Sequence, residues 1–143
     1  MKTNMKTIVV FGGTGGLGIK LIPLLHTKYN VISLSSSEVD ITNLSSVKNF
    51  FETNSVDIVL NMSGKKYDTF LSKISYSDVN EIDKMLDVNI KGNINILASC
   101  LPQLISKRYG RVIGISSVFS ELNVSKNSIY CASKAFMDRL YST

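Results

Sequence analysis

A chain of 143 residues is sized for one domain and can bury about two-thirds of the surface that its unfolded form exposes. With 44% hydrophobic and 19% charged residues it does not have the composition of a disordered tail, and no apolar run approaches the ~20 residues of a spanning helix. The net charge of +5 is scattered over residues such as Lys2, Lys65, Lys107 and Arg111, with no basic run or interleaved aromatics, which argues against a nucleic-acid groove.

The first predicted strand is Thr7 to Phe11, and it runs directly into GGTGGLG, residues 12 to 18. Ile19, Leu21, Ile22, Leu24 and Leu25 then follow at helical spacing, so a helix opened by Gly18 is expected to reach about Lys28, loosened by Pro23. Strand, glycine loop and helix is the arrangement in which backbone amides reach a diphosphate, because the helix N-terminus offers unpaired donors and a favourable dipole. Gly12, Gly16 and Gly18 fit GxxxGxG, whereas Gly12, Gly15 and Gly18 fit GxxGxxG. Both spacings occur in nucleotide-binding folds, and a plain strand-to-helix corner would also use glycines.

Val31 to Leu34 form a second strand, followed by Ser35, Ser36, Ser37 and a short extended piece at Val39, Asp40 and Ile41. Thr42 or Asn43 can cap a helix through about Phe51, with Val47, Phe50 and Phe51 inward. Residues 57–61 (DIVLN) form a buried strand ending in Met62, Ser63 and Gly64. Ser77 is expected to cap a long helix from Asp78 to about Lys107, with an apolar face of Ile82, Leu86, Val88, Ile90, Ile94, Leu97, Leu101, Leu104 and Ile105. Residues 111–115 (RVIGI) form a strand closing on Ser116 and Ser117, and a last helix starts near Ser128. Strands that are continuous apolar runs, alternating with helices, imply a parallel sheet covered on both faces, with a ligand site beyond the strands' C-terminal ends.

Cys100 and Cys131 lack CxxC spacing and read as buried thiols of a reducing compartment. His26 is the sole histidine and no Cys/His cluster exists, so no metal site is expected. The apolar stretch after Lys6 is too short for a signal peptide, which makes the cytoplasm the expected location.

The residues that carry chemistry lie late in the chain. Tyr130 and Lys134 are four apart, so both project from one helix face. A phenol with a pKa of about 10 is a poor proton donor or acceptor at neutral pH, and a neighbouring ammonium stabilises its phenolate. Ser117 ends a strand upstream of them, and Asn89 interrupts the long helix with a polar amide. Each alone has an ordinary explanation: a surface pair, a strand-end hydroxyl, a polar helix position.

In order, Gly12-xxx-Gly16-x-Gly18, Asp40-Ile41-Thr42, Asn61-Met62-Ser63-Gly64, Asn89, Ser117 and Tyr130-xxx-Lys134 resemble the short-chain dehydrogenase/reductase family, as do DVNIKG at 87–92 and GRVIGISSVFS at 110–120. The resemblance implies an α/β fold with a doubly wound parallel sheet (Rossmann fold) as a single domain over residues 1–143, and hydride transfer between a nicotinamide and a carbonyl or alcohol. It implies Tyr130 as general acid/base, Lys134 as its tuner and ribose ligand, Ser117 orienting the substrate, and Asn89 completing a proton relay. Gly12, Thr14, Gly15, Gly16, Leu17 and Gly18 would hold the diphosphate. Ser35 and Ser36 would meet the ribose, Asp40 and Ile41 would border the adenine, and Asn61, Ser63 and Gly64 would form the floor. A small-molecule substrate and a homo-oligomer, dimer or tetramer, follow as expected partners, with no nucleic acid or membrane.

The sequence departs from the family pattern at several points. Phe11 replaces the usual threonine, NMSG replaces NNAG, and only a few residues separate Leu34 from Asp40 where a helix is usual. Serines fill the place at the end of the second strand where an acidic residue would favour NAD and a basic one NADP, so both cofactors stay open, with a slight lean to NADP. Family members continue past the YxxxK helix into further strands and a substrate lid, so the chain is expected to be an incomplete domain or a shortened relative. Two other functions stay open: a nucleotide-binding module without turnover, and a nucleotide-sugar epimerase or dehydratase of the GxxGxxG type.

Overall fold

The computed structural model describes residues 5–142. Four parallel strands lie in the order β2-β1-β3-β4: β1 Thr7–Phe11, β2 Asn30–Leu34, β3 Ile58–Asn61 and β4 Arg111–Gly114. Val9 is paired with Ile32 on one side and Val59 on the other, and Leu60 with Ile113, so β1 and β3 are central and almost wholly buried. Five helices connect or follow them: α1 Gly16–Leu25, α2 Leu44–Thr53, α3 Tyr76–Leu86, α4 Gly92–Ser106 and α5 Ser128–Tyr141. This is the expected doubly wound Rossmann arrangement.

The alternation of side chains along β1 divides the core. Val9, Phe11 and Val59 point to one face, where Val47 and Phe51 of α2 and Ile96, Cys100 and Leu104 of α4 cover them. Phe11, Phe50 and Phe51 meet there edge to face or tilted, with centroids 5.2 to 6.1 Å apart. Ile8, Val10, Ile58 and Leu60 point to the other face, under Leu21 and Leu25 of α1. That cover stops short of β4, where Ile113 is 45% exposed.

Several predicted boundaries move. The first helix begins at Gly16, two residues earlier than expected, and ends at Leu25, soon after Pro23. Val39, Asp40 and Ile41 form no strand; Asp40 instead accepts hydrogen bonds from the amide and hydroxyl of Thr42, which turns the chain into the Asn43 cap of α2. No helix lies between Leu34 and Asp40, as the short spacing implies. The long helix is capped by Ser75, not Ser77, through a capping box with Asp78.

The long helix is also not uniform. A π turn at Asp87–Lys91 joins α3 to α4, and the Gly92 amide bonds the Asp87 carbonyl five residues back. The inward face of α4 carries Ile96, Cys100 and Leu104 together with the small or polar Gly92, Asn93 and Asn95. Ile94, Leu101 and Ile105, expected inward, are exposed at 44%, 40% and 70%. Cys131 is only half-buried, whereas Cys100 is buried and its thiol is pushed up to about 12 by desolvation. Among the described residues no helix is long and apolar enough to cross a membrane, and no group of His, Cys, Asp or Glu could hold a metal ion.

Candidate active site

The glycine loop crosses the C-terminal ends of the strands. Gly12 has φ +76° and its amide bonds the Leu34 carbonyl, so the chain leaves β1 in a conformation that a side chain resists. A Cβ there would also stand 2.8 Å from the Ser63 amide nitrogen. At Gly18 a Cβ would overlap the Gly13 carbonyl, so helix and loop touch backbone to backbone. Gly16 differs: its Cβ would meet nothing within 4 Å, and protein packing therefore does not explain the glycine. The open side of Gly16 lies on the first turn of α1, where amides have no intrahelical partner.

Beside the loop is a groove of about 390 Å³ that brings together Gly12, Thr14, Gly15, Ser35, Ser36, Asp40, Ile41, Ser63 and Gly64 from four separate segments. Leu17 does not line it and is 54% exposed on α1. Asn61 is fully buried behind it: its Oδ1 accepts from the Ser63 amide at 2.9 Å and its Nδ2 donates to Asn93 Oδ1 at 2.7 Å. Asn61 therefore shapes the floor through Ser63 and not by facing the groove. Ile41 is held between the groove and α4, where Gly92 leaves room for its side chain and Asn95 donates to its carbonyl at 2.8 Å.

The second group of residues gathers where α5 crosses the π turn. Gly64 links the two groups, since it lines the groove and a Cβ on it would be 3.4 Å from Lys134 Nζ and 3.8 Å from Asn89 Oδ1. Lys134 is 4% exposed; its Nζ donates to the Ile115 carbonyl at 3.1 Å and lies 5.8 Å from the Tyr130 ring centroid. Burial pulls its ammonium below the usual lysine value, an effect that the charge of Asp138 partly opposes. Tyr130 is half-buried, its ring packed edge-on against Phe119 at 5.9 Å. Ser117 Oγ accepts the Phe119 amide at 3.2 Å, which fixes the short turn Val118–Ser120 against α5. Asp138 bonds the side chains of Ser116 and Ser120 on either side of Ser117 and is held below the usual carboxylate range by them.

Asn89 is buried in the π turn. Its Oδ1 accepts from the Lys65 amide at 2.9 Å, and its Nδ2 donates to the Lys65 carbonyl at 2.8 Å and to Ser133 Oγ at 3.0 Å. It does not touch Lys134 directly. Asn93, Ser133 and Tyr141 belong to the same network and were missed by the sequence reading: Asn93 Nδ2 donates to the Asn89 carbonyl at 2.7 Å, and Tyr141 Oη donates to Asn93 Oδ1 at 2.8 Å. The signal in the sequence was a pair of asparagines at 89 and 93, four apart and so on one helix face, and a serine one position before Lys134.

The sequence profile of the short chain dehydrogenase family matches residues 26–143, and the chain belongs to that family. It is 30% identical over 149 residues to the 3-oxoacyl-acyl-carrier-protein reductase FabG of Rickettsia typhi, covering 91% of this chain and 61% of that protein. The chain thus spans about three-fifths of the length of the curated relatives of this kind. Among solved structures it is similar to a small-chain dehydrogenase at a TM-score of 0.85 with 22% identity, covering 96% of this chain and 70% of that one. It is also similar to a small-chain dehydrogenase in complex with NADPH, at a TM-score of 0.81 with 21% identity, covering 96% and 62%. These likenesses agree with the fold read from the sequence.

Proposed function

We propose that this chain carries the cofactor-binding and proton-transferring part of an NAD(P)-dependent oxidoreductase acting on a small carbonyl or alcohol. The observation that carries the proposal is the convergence at Gly64 of the groove beside the glycine loop with the buried Lys134 and Asn89. The residues fit a dinucleotide: Gly12, Thr14 and Gly15 of the glycine loop line the groove, which continues past Ser35 and Ile41 on one side and to Ser63 and Gly64 on the other, and the neighbouring Gly16 leaves open the space where a Cβ would stand. When bound, the nicotinamide ring donates or accepts the hydride.

The rest falls to this chain's own groups. The Tyr130 hydroxyl gives its proton to the carbonyl oxygen during reduction, and the Tyr130 phenolate takes one from the alcohol during oxidation. The Lys134 ammonium, on the same face of α5 and shielded from water, stabilises the phenolate that remains. The Ser117 hydroxyl orients the substrate oxygen. Asn89 positions α5 and the Lys65 segment, and a water beside it relays protons toward Lys134. The exposed Ile94, Leu101 and Ile105 on one side of α4 fit a homo-oligomeric contact, which sedimentation would reveal as a dimer or tetramer.

The test has two readouts. Cofactor fluorescence should change on binding, and no change at millimolar NADH or NADPH would sink the dinucleotide reading. Tyr130→Phe should abolish carbonyl reduction and leave cofactor affinity nearly unchanged. A second reading, a dinucleotide-binding module without turnover, draws on the Lys134 ammonium being bonded to the Ile115 carbonyl. It is favoured if binding is seen and no carbonyl compound is reduced.

A further inference from the structure

The end of β2 carries a feature that the serine run does not suggest. Glu38 folds back over the strand end, and its Oε2 accepts from the Ser35 amide at 2.8 Å and from Ser35 Oγ at 2.7 Å. Ser35 Oγ is also 2.9 Å from Ser37 Oγ. Both bonds to Glu38 fall on Oε2 and leave Oε1 without a donor among the described residues. The carboxyl is held below its ordinary range by the Ser35 hydroxyl and amide, so it is charged throughout the neutral range.

Ser35 and Ser36 line the groove, so this charge stands beside its lip, and Asp40 places a carboxylate in the lining itself. The one cationic side chain in that lining is Lys65, whose ammonium pairs with Glu81 at 3.0 Å. The end of the groove near β2 is therefore negative, with no arginine or lysine among residues 33–43 to offset it.

Resting on the dinucleotide reading above, we infer that Glu38 takes the role of ribose-reading acid and makes this groove select NAD(H) over NADP(H). A ribose 2′-hydroxyl can donate to a carboxylate. A 2′-phosphate brings a charge near −2, and a carboxylate about 4 Å away weakens its binding by on the order of tenfold or more in a water-like surround. The Ser35 hydroxyl and amide, which could have served a phosphate, are already engaged by Glu38. This reverses the slight lean to NADP drawn from the serines alone.

The test is calorimetric titration of the chain and of Glu38→Gln with NADH and NADPH. The expected result is NADH binding at least about tenfold tighter in the wild type. In Glu38→Gln the gap should narrow severalfold, mainly through tighter NADPH binding. NADPH binding as tightly as NADH overturns the inference and leaves the dinucleotide reading standing, as does a gap unchanged by Glu38→Gln. Binding of neither cofactor overturns both. Should Glu38→Gln fail to fold, salt titration of the wild type decides: a gap from charge repulsion shrinks between low and high ionic strength, and an unmoved gap overturns the assignment.

Discussion

Asn89 and Ser133 are joined by a 3.0 Å hydrogen bond between Nδ2 and Oγ, which ties the π turn of the long helix to the face of α5 that carries Tyr130 and Lys134. Ser133 passes the link on, its hydroxyl donating to the Tyr130 carbonyl at 2.7 Å. Asn89 also exchanges two bonds with the Lys65 backbone, so one buried amide locks three segments. Asn89→Ala leaves these groups unpaired in the interior. We expect a loss of about 2–4 kcal/mol in urea unfolding, well above that of an exposed asparagine such as Asn49.

Lys134 separates stability from activity. Its ammonium is buried and held by one carbonyl and the Met137 sulfur, with desolvation as the larger effect on its pKa. A lysine whose folded pKa is depressed opposes folding below that value, and the opposition fades as pH rises through it toward the unfolded value near 10.4. Lys134→Met should therefore match or exceed the wild type in stability at pH 7, and the difference should close at alkaline pH. Carbonyl reduction should fall by orders of magnitude. A clear loss of stability at pH 7 would show that the ammonium is a net support of the fold.

The far end of the sheet holds an acid-labile latch. Asp57 accepts the Thr7 amide at 2.9 Å on Oδ2 and the Lys107 ammonium at 2.7 Å on Oδ1, joining β1, β3 and the end of α4. Lys107, first among the causes, holds the Asp57 carboxyl below its ordinary value. The stabilisation is then complete above the unfolded pKa near 3.9 and is lost as pH falls through the lower folded value. Asp57→Ala should cost about 1–2 kcal/mol at pH 7 in chemical unfolding, and the difference from wild type should shrink as the pH drops below 4.

Much of the architecture was legible because its signals are local. Thr7 to Phe11, Ile58 to Asn61 and the Ser128 start of α5 follow from apolar runs and turn residues in sequence. The inward face of α4 was legible only in part, at Leu104, because its buried stripe includes Gly92, Asn93 and Asn95, which an apolar pattern passes over. The Ser75 cap was missed in favour of a serine two places on, a choice that depends on Asp78 reaching back to the Ser75 amide. At the candidate site, spacing named candidate residues but could not name their partners. That Asn89 bonds Lys65 and Ser133, and that Glu38 bonds Ser35, are facts of tertiary contact and loop conformation.

The glycine loop offers the sharpest contrast. Gly12 and Gly16 are four residues apart, yet packing demands a glycine only at the first. Gly12→Ala would force a side chain into φ +76° and against the Ser63 backbone, and we expect destabilisation of about 2 kcal/mol or more with loss of cofactor binding. Gly16→Ala meets open space within 4 Å and lies in the first turn of α1, where alanine suits a helix at least as well. Its thermal unfolding should be unchanged or slightly raised. Because that open space is where the diphosphate would lie, NADH affinity should nonetheless fall by about tenfold or more, read by the same fluorescence titration. Unaltered affinity in a folded Gly16→Ala variant would place the diphosphate elsewhere along the groove.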